Sequence, residues 1–184
     1  MRKIVGKILI LLGFFIICSV IYINYSTVKN NNEIVKIYED DKYNNNKEKN
    51  ALVSNVVCIL EIPKINIKVA VKEGTGENIL EKSVGHFENT ALPGEKGNFA
   101  VAGHSAYTTN KFFSNLNKLE IGDEIKAKVH EQEYMYKVTD IQIVKPENLH
   151  VLNPQKQDSK EITLITCTPK YVGTNRLVVK GIIM

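Results

Sequence analysis

The chain begins with a long apolar stretch. Residues 8–23 read ILILLGFFIICSVIYI, 16 residues without a charge, and Ile4, Val5 and Gly6 extend the stretch upstream past Lys7. The 20 positions of residues 4–23 form a helix that can cross ~30 Å of hydrocarbon, with the Lys7 ammonium reaching the headgroups. A buried core helix is a poor alternative, since apolar residues occupy every side. The pattern predicts a transmembrane anchor at residues 1–23.

Basic residues on the N-terminal side set the predicted orientation of this anchor. Arg2, Lys3 and Lys7 precede or begin the apolar run, so the positive-inside rule predicts a single-pass protein of the cell membrane with a cytoplasmic N-terminus. Everything after Asn24 is then extracellular. A cleaved secretory signal is the alternative, but the following NYSTVKNNN lacks a small-residue cleavage site, which favours an uncleaved anchor.

A polar stretch follows the anchor. Residues 24–50 are rich in Asn, Lys, Glu and Asp and end in KYNNNKEKN, a composition that buries too little apolar surface to fold alone. We therefore expect a tether with one short helix around Glu33 to Tyr38, and a third segment, residues 51–184, that forms the folded domain.

The pattern changes after residue 50 to short β-branched runs bounded by Gly, Pro and Asn, which is typical of strands. The predicted strands are residues 56–62, 65–71, 99–103, 124–129, 134–144, 162–168 and 177–183. Seven or eight strands in this length indicate a mainly β fold, either a closed barrel or a sandwich. Two short helices are predicted, at residues 77–82 and at residues 111–119, where Phe112, Phe113, Leu116 and Leu119 share one face.

Charge and composition narrow the function classes. Residues 1–50 carry 8 basic and 5 acidic residues, net +3, and residues 51–184 carry 16 and 15, net +1. A nearly neutral domain lacks the basic face that binding to a phosphate backbone requires, so nucleic acid is not expected as a partner. With 43% apolar residues and 3 Cys, the chain is neither disordered nor a disulfide scaffold.

The three cysteines lie in different settings. Cys18 is in the membrane run, and Cys58 lies between Val57 and Ile59 in an apolar strand, where a small buried side chain is expected. Cys167 ends the strand EITLITC just before Thr168, Pro169 and Lys170 break the run. A disulfide between Cys58 and Cys167 stays open, although no feature of the sequence favours it.

Cys167 is the candidate nucleophile, because a strand end presents its side chain at the rim of a barrel. Such a thiol needs a base and a group that stabilises the developing negative charge. His104 ends the strand NFAVAGH, and Arg176 begins RLVVKGII as the one Arg after residue 50. A lone Arg among lysines suggests a need for a planar, permanently charged donor.

The other histidines are weaker candidates for the base. His86 and His150 are placed in turns, and His130 ends a strand in the polar sequence VHEQE. Spacings typical of zinc ligands, CxxC, HExxH, a Walker loop and GxGxxG are all absent from the sequence.

At these residues the chain resembles the sortases, the membrane-anchored cysteine transpeptidases of Gram-positive bacteria. The matching segments, in the family's order, are VAGH, FFSNLNKLEIGDEI, TLITC and RLVVKG, and they cover roughly residues 56–183. The resemblance implies a sortase-like closed β-barrel with Cys167 as the nucleophile, His104 as the general acid and base, and Arg176 steadying the oxyanion and the bound peptide. It also places Ala102, Ile165 and Thr166 along the groove for the sorting signal.

The chemistry that the resemblance implies is acyl transfer. An LPxTG-like sorting signal of a secreted protein would be cleaved between Thr and Gly through a thioester, and the acyl group would pass to an amine of a cell-wall precursor or pilin. The short stretch between residues 144 and 162, the missing Asp-Pro-aromatic lid and the absence of a second apolar run disfavour classes B and C. A class A or class D type remains, and CTPKYVGTNRLVVKG favours D.

No cofactor and no metal are expected. Calcium-responsive sortases hold the ion with clustered carboxylates before the His strand and a Glu before the nucleophile strand. Here the first loop offers only Glu88 and Glu95, and Pro154 stands at the position of that Glu. Two other function classes stay open: an envelope cysteine hydrolase, which would gain nothing from an amine acceptor, and a membrane-tethered binding module, whose Cys167 would react like an ordinary thiol.

Overall fold

Short β-branched runs fold into eight strands, preceded by one long helix. A computed structural model describes residues 2–40, 52–105, 112–156, 158–170 and 172–184. Helix α1 covers Arg2–Glu39 and the short helix α2 covers Glu77–Leu80. The strands are β1 (Val56–Ile62), β2 (Ile67–Glu73), β3 (Val84–His86), β4 (Gly97–Ala102), β5 (Glu124–Val129), β6 (Gln132–Val144), β7 (Lys160–Thr168) and β8 (Asn175–Ile183). Short 3-10 helices lie at Pro63–Ile65, Leu116–Lys118 and Leu149–Leu152.

The strands close into a barrel in the order β1-β2-β3-β4-β7-β8-β6-β5, and β5 pairs with β1. Two neighbouring pairs are parallel, β2 with β3 and β4 with β7, and the other pairs are antiparallel. Closure pairs every strand on both sides, so the barrel has no free edge. The parallel β4 and β7 end at the same rim.

The barrel interior is filled by alternate residues of each strand, as the period of two requires. Phe99 and Val101 of β4 and Ile162 and Leu164 of β7 belong to this core and are fully buried. Tyr136 also lies inside, and its hydroxyl accepts a hydrogen bond from the Gly94 amide at 2.8 Å. Burial raises the pKa of Tyr136 to about 12, which keeps the phenol neutral in the core.

The second half of α1 packs on the outside of the barrel. Ile34, Val35 and Ile37 are buried against Ile59 of β1 and Ala70 of β2. This face repeats at helical spacing, so one side of the helix can cover the apolar outer face of two strands.

Polar contacts at the same interface fix the position of the helix. The Asn31 side chain donates to the Lys68 carbonyl at 2.9 Å and accepts from the Ala70 amide at 3.2 Å. The Glu39 carboxylate is 2.9 Å from Lys68 Nζ, and the Tyr38 ring stacks on His130 with centroids 5.0 Å apart.

The predicted barrel is confirmed, and each predicted strand lies within two residues of an observed one. The helix predicted at residues 77–82 is α2. The other predicted helix, at residues 111–119, is not a regular α-helix: residues 112–119 form turns and the 3-10 helix Leu116–Lys118, and residue 111 lies outside the described residues. Of the four residues expected on one face, Phe113, Leu116 and Leu119 are buried and Phe112 is partly buried.

Two features differ from the sequence predictions. Strand β3 was not predicted, because three residues are too few to show a periodic pattern, so the interpretation of His86 as a turn residue is wrong. The predicted tether is helical as far as Glu39, because Ile34, Val35 and Ile37 give this part of the chain an apolar face that packs on β1 and β2. Residues 41–50 of that tether lie outside the described residues.

Candidate active site

Two parallel strands bring His104 and Cys167 to the same rim of the barrel. In the register of β4 with β7, Ala102 is the partner of Ile165. His104 follows Ala102 by two residues, and Cys167 follows Ile165 by two residues. Because parallel neighbours advance together, the two side chains emerge next to each other where the sheet ends.

Hydrogen bonds continue the alignment of β4 with β7 beyond Ala102, the last residue of β4. The Gly103 amide donates to the Ile165 carbonyl at 3.0 Å, and the Thr166 hydroxyl donates to the Gly103 carbonyl at 2.7 Å. The Ser105 hydroxyl donates to the Cys167 carbonyl at 2.7 Å. The residues on both sides of His104 are thus bonded to the segment that ends in Cys167.

Cys167 is a free, half-buried thiol on the outer face of β7. Ile162 and Leu164 face the barrel interior, whereas Ile165 belongs to a cluster on the outside, so the alternation places Cys167 on the outer face. The α-carbon of Gly173 lies beside it, since a Cβ built there would be 3.9 Å from Cys167 Sγ. Gly173 has a φ of +64°, a backbone conformation that favours glycine over residues with a side chain.

His104 has a buried ring nitrogen without a hydrogen-bond partner. Within the described part of the chain, its Nε2 has no such partner, although the side chain is 29% exposed overall. Glu77 Oε1 is 3.4 Å from Nε2, but its geometry gives no hydrogen bond and the Glu77 side chain is largely exposed. Unpartnered buried polar atoms are uncommon, so this nitrogen is available to a group that arrives with a substrate.

Arg176 lies across from the thiol on β8. It is the cross-strand partner of Cys167, and its Nη1 donates to the carbonyls of Gly173 at 3.0 Å and Asn175 at 3.1 Å. The guanidinium therefore holds the turn between β7 and β8, residues 169–174, in which Gly173 lies close to Cys167. A guanidinium has five N–H donors, so these two bonds leave others for an incoming group.

A mostly buried apolar surface lies next to the thiol on the outer face of the barrel. Ile165 and Val178 are buried there under Val151, with Phe87 and Leu152 packed at the edge. Phe87 and Leu152 also line a cavity of about 670 Å³, together with residues 74–76 and 88–90. Ala102 lies beside Ile165, so two of the predicted groove residues share this surface.

Thr166, the third predicted groove residue, faces the other way. It is buried, and it lines a second cavity of about 210 Å³ with Ser105, Phe113 and Leu177, which Cys167 also borders. The alternation of β7 separates Thr166 from the surface of Ile165, so its observed contact is the bond to Gly103.

The remaining cysteines have other environments. Cys58 is fully buried in the barrel core, and burial raises the pKa of its thiol far above the ordinary value. Such a thiol is inert as a nucleophile. Cys18 is an exposed residue of α1, and all three cysteines are free thiols, so Cys58 and Cys167 are not paired.

The other histidines lie away from the thiol strand or are already bonded. His86 is buried, with Nδ1 3.0 Å from Glu73 and Nε2 2.9 Å from the Thr90 hydroxyl. His130 stacks on Tyr38, and His150 is an exposed residue of the 3-10 helix Leu149–Leu152.

Gly103, Ser105 and Gly173 take part in the site, but the sequence did not single them out. The signal available for Gly103 and Ser105 was their position on either side of His104. A Cβ at Gly103 would lie 2.6 Å from the Phe113 ring, so only glycine allows this ring to pack under the histidine segment. Among the described residues, no group of three or more His, Cys, Asp or Glu side chains could hold a metal ion.

Comparison with known proteins identifies a family for this architecture. A model of the sortase domain matches residues 60–183. Sortase D of Bacillus subtilis is 34% identical over 116 residues, which are 62% of this chain and 56% of that protein. Sortase A of Staphylococcus aureus is 31% identical over 179 residues, which are 91% of this chain and 86% of that protein.

A solved structure has the same fold. The Clostridium perfringens sortase D5 transpeptidase superposes with a TM-score of 0.68 at 34% identity, covering 85% of this chain and 96% of that one. The chain spans 39% to 59% of the length of three curated relatives, the Bacillus subtilis protein among them.

Proposed function

The chain belongs to the sortase family, and we propose that it is a cysteine transpeptidase that acts on sorting signals at the cell surface. The donor would be a secreted protein with an LPxTG-like motif. The acceptor would be an amine of a peptidoglycan precursor or a pilin.

The reaction proceeds in two acyl transfers. The Cys167 sulfur attacks the Thr carbonyl carbon of the donor, the Thr–Gly C–N bond breaks, and His104 gives a proton to the leaving Gly nitrogen. The acyl group is then held as a thioester. An acceptor amine attacks the thioester carbonyl, His104 takes a proton from the amine, and the thiolate leaves as a new amide forms.

One observation carries this proposal: the buried Nε2 of His104, which has no hydrogen-bond partner among the described residues, lies at the same rim as the half-buried Cys167 thiol. A structural histidine would have both nitrogens bonded, as His86 has. Arg176 supports the pair, because its guanidinium fixes the turn against the thiol and retains donors for the oxyanion.

The proposed groove for the donor peptide runs along the outer face of β7 beside Ala102, with the buried cluster of Ile165 and Val178 beneath it. It reaches the thiol on the face that Cys167 shares, and the larger cavity lies at its edge. Thr166 would act through its bond to Gly103, which steadies the segment that carries His104.

An N-terminal apolar helix indicates membrane anchoring: residues 4–39 form one helix with a mean hydropathy of 2.7 in its most apolar window. The basic residues at its start support a cytoplasmic N-terminus and an extracellular barrel. A barrel held outside the cell membrane would meet both secreted donors and cell-wall acceptors.

The test uses the full chain in detergent, a peptide with an LPxTG-like motif and an amine acceptor. The wild type should release the Gly-terminal fragment and join the acyl part to the acceptor, as mass spectrometry can show. Cys167→Ala should fall below about a hundredth of wild-type turnover, because it removes the nucleophile. His104→Ala should be similarly impaired through loss of the proton donor.

Cys18→Ser is the matched control, because it removes a thiol of the membrane helix and should leave turnover unchanged. A Cys167→Ala variant that keeps a tenth of the activity would overturn the nucleophile assignment. A wild type that yields only hydrolysed peptide at high acceptor concentration would be a hydrolase, and the transpeptidase proposal would fail.

A further inference from the structure

The loop between β6 and β7, residues 145–159, lies over the outer face of β7. We call it the β6–β7 loop. Its 3-10 helix, Leu149–Leu152, places Val151 on Ile165 and Val178, and Leu149, Leu152 and Asn153 line the larger cavity. The loop thus forms one wall of the proposed groove.

The Glu161 carboxylate is the first group that holds the β6–β7 loop in place. Glu161 is 5% exposed, and its side chain accepts hydrogen bonds from the Gln155 amide at 2.9 Å and the Lys156 amide at 3.3 Å. The Ser159 hydroxyl donates to the same carboxylate oxygen. A buried carboxylate that accepts hydrogen bonds from three donors of one loop holds that loop against the strand.

The Asn98 side-chain amide is the second group that holds the β6–β7 loop in place. Its Nδ2 donates to the Leu152 carbonyl at 2.8 Å and to the Val151 carbonyl at 3.3 Å. Its Oδ1 accepts from the Thr163 hydroxyl at 2.8 Å, and both side chains are buried.

Glu161, Thr163, Ile165 and Cys167 are successive outward positions of β7, because side chains alternate along a strand. The first three hold the β6–β7 loop, directly or through Asn98, and the fourth is the candidate nucleophile. The same strand therefore sets the position of the groove wall and the position of the thiol.

We propose that Glu161 is a positioning residue that keeps the β6–β7 loop in its binding-competent form, so that the groove exists before the donor peptide arrives. This role rests on the proposed transpeptidase function. A groove that is formed in only a fraction of molecules binds with an apparent affinity reduced by that fraction. Loss of Glu161 should therefore weaken donor binding more than it slows the chemistry at Cys167.

Two variants and two readouts test this role in the full chain. Glu161→Ala should raise KM for the LPxTG-like peptide by ~10-fold with kcat within about twofold, since its bonds to one loop are lost. In hydrogen exchange, the Gln155 and Lys156 amides should be protected in the wild type and exchange ~10-fold faster in the variant. Ser159→Ala removes one donor and should give a smaller change in both readouts.

Glu124→Gln is the matched control, since Glu124 is an exposed residue at the start of β5 and should change neither readout. A fall in kcat with unchanged KM in Glu161→Ala would overturn the proposal, and so would equal exchange of Gln155 and Lys156 in variant and wild type. If Glu161→Ala does not fold, Ser159→Ala decides by the same criteria. Hydrogen exchange needs no turnover, so it still tests the loop if the peptide is not a substrate.

Discussion

The contacts of Arg176 bear on whether a lysine could replace it in its proposed role. One guanidinium nitrogen bonds two carbonyls, that of Gly173 in the turn between β7 and β8 and that of Asn175. The plane of the group fixes the direction of the remaining donors, whereas an ammonium on a flexible stem carries its donors at a single point. A fixed direction is what a developing oxyanion requires.

Arg176→Lys should therefore lower kcat/KM by at least ~10-fold although the charge is kept. The reason is that a lysine cannot hold both carbonyls and still point a donor toward the substrate. Steady-state kinetics with the donor peptide measure the effect, and Lys137→Arg at an exposed position of β6 is the control substitution. Near-normal kcat/KM in Arg176→Lys would mean that Arg176 serves only as a diffuse positive charge.

The candidate site residues that the sequence singled out lie at strand ends. Cys167 and His104 each follow an apolar run, and the two runs are neighbours in the barrel. Glu161 was not singled out, because a charged residue at the start of a strand is usually solvated. Only the fold of the β6–β7 loop shows that its carboxylate is buried.

The loop between β3 and β4, residues 87–96, is the place where a calcium ion would have to bind. We expect that activity does not depend on calcium. Its carboxylates are Glu88 and Glu95, and Glu95 accepts a hydrogen bond from the Leu92 amide at 3.0 Å. The loop is instead held by His86, which contacts Thr90 and the Ala91 carbonyl. Calcium generally requires six to eight oxygen ligands, and these two carboxylates are too few to supply them.

We therefore expect transpeptidation by chelator-treated enzyme to change by less than about twofold when millimolar calcium is added. The Glu161 carboxylate already holds the β6–β7 loop in place, so a calcium ion would add little to the order of that loop. Glu88→Gln with Glu95→Gln should behave like the wild type in the same assay. A several-fold rise in wild-type activity on adding calcium would contradict this expectation.

Strands with a long, regular alternation were predicted correctly, whereas elements that depend on contacts with the rest of the fold were not. Strand β5 was predicted to the residue, since its alternation is regular over its whole length. Strand β3 has three residues and is defined by pairing on both sides with β2 and β4, which local sequence does not encode. Helix α1 extends past the polar residues at its middle because the barrel gives its later apolar residues a surface to cover.

At the scale of the whole molecule, α1 runs as one helix from the predicted membrane segment to the outer face of the barrel, where it ends at Glu39. The Asn31 side chain, eight residues after Ile23, bonds two backbone groups of β2. At 1.5 Å per residue, this places the barrel contact ~12 Å beyond the end of the predicted membrane segment. We expect the barrel to keep a fixed height and direction relative to the bilayer.

Asn31→Ala tests this arrangement, because the Asn31 side chain bonds two backbone groups of β2. The variant leaves the buried Ala70 amide without its acceptor, at a cost of ~1–3 kcal/mol. Hydrogen exchange of residues 34–39, measured on the full chain in lipid nanodiscs, should accelerate by ~5–100-fold as this half of α1 leaves the barrel more often.

Asn30→Ala separates docking from helix stability in this experiment. Asn30 is exposed on the same turn of α1, and alanine favours the helix over asparagine in either position. Both variants should therefore strengthen the helix itself, while only Asn31→Ala removes contacts with β2. Faster exchange of residues 34–39 in Asn31→Ala alone would show that α1 is held by the barrel. Equal exchange in both variants and the wild type would show that the helix persists without docking. The barrel would then be free to turn about its anchor.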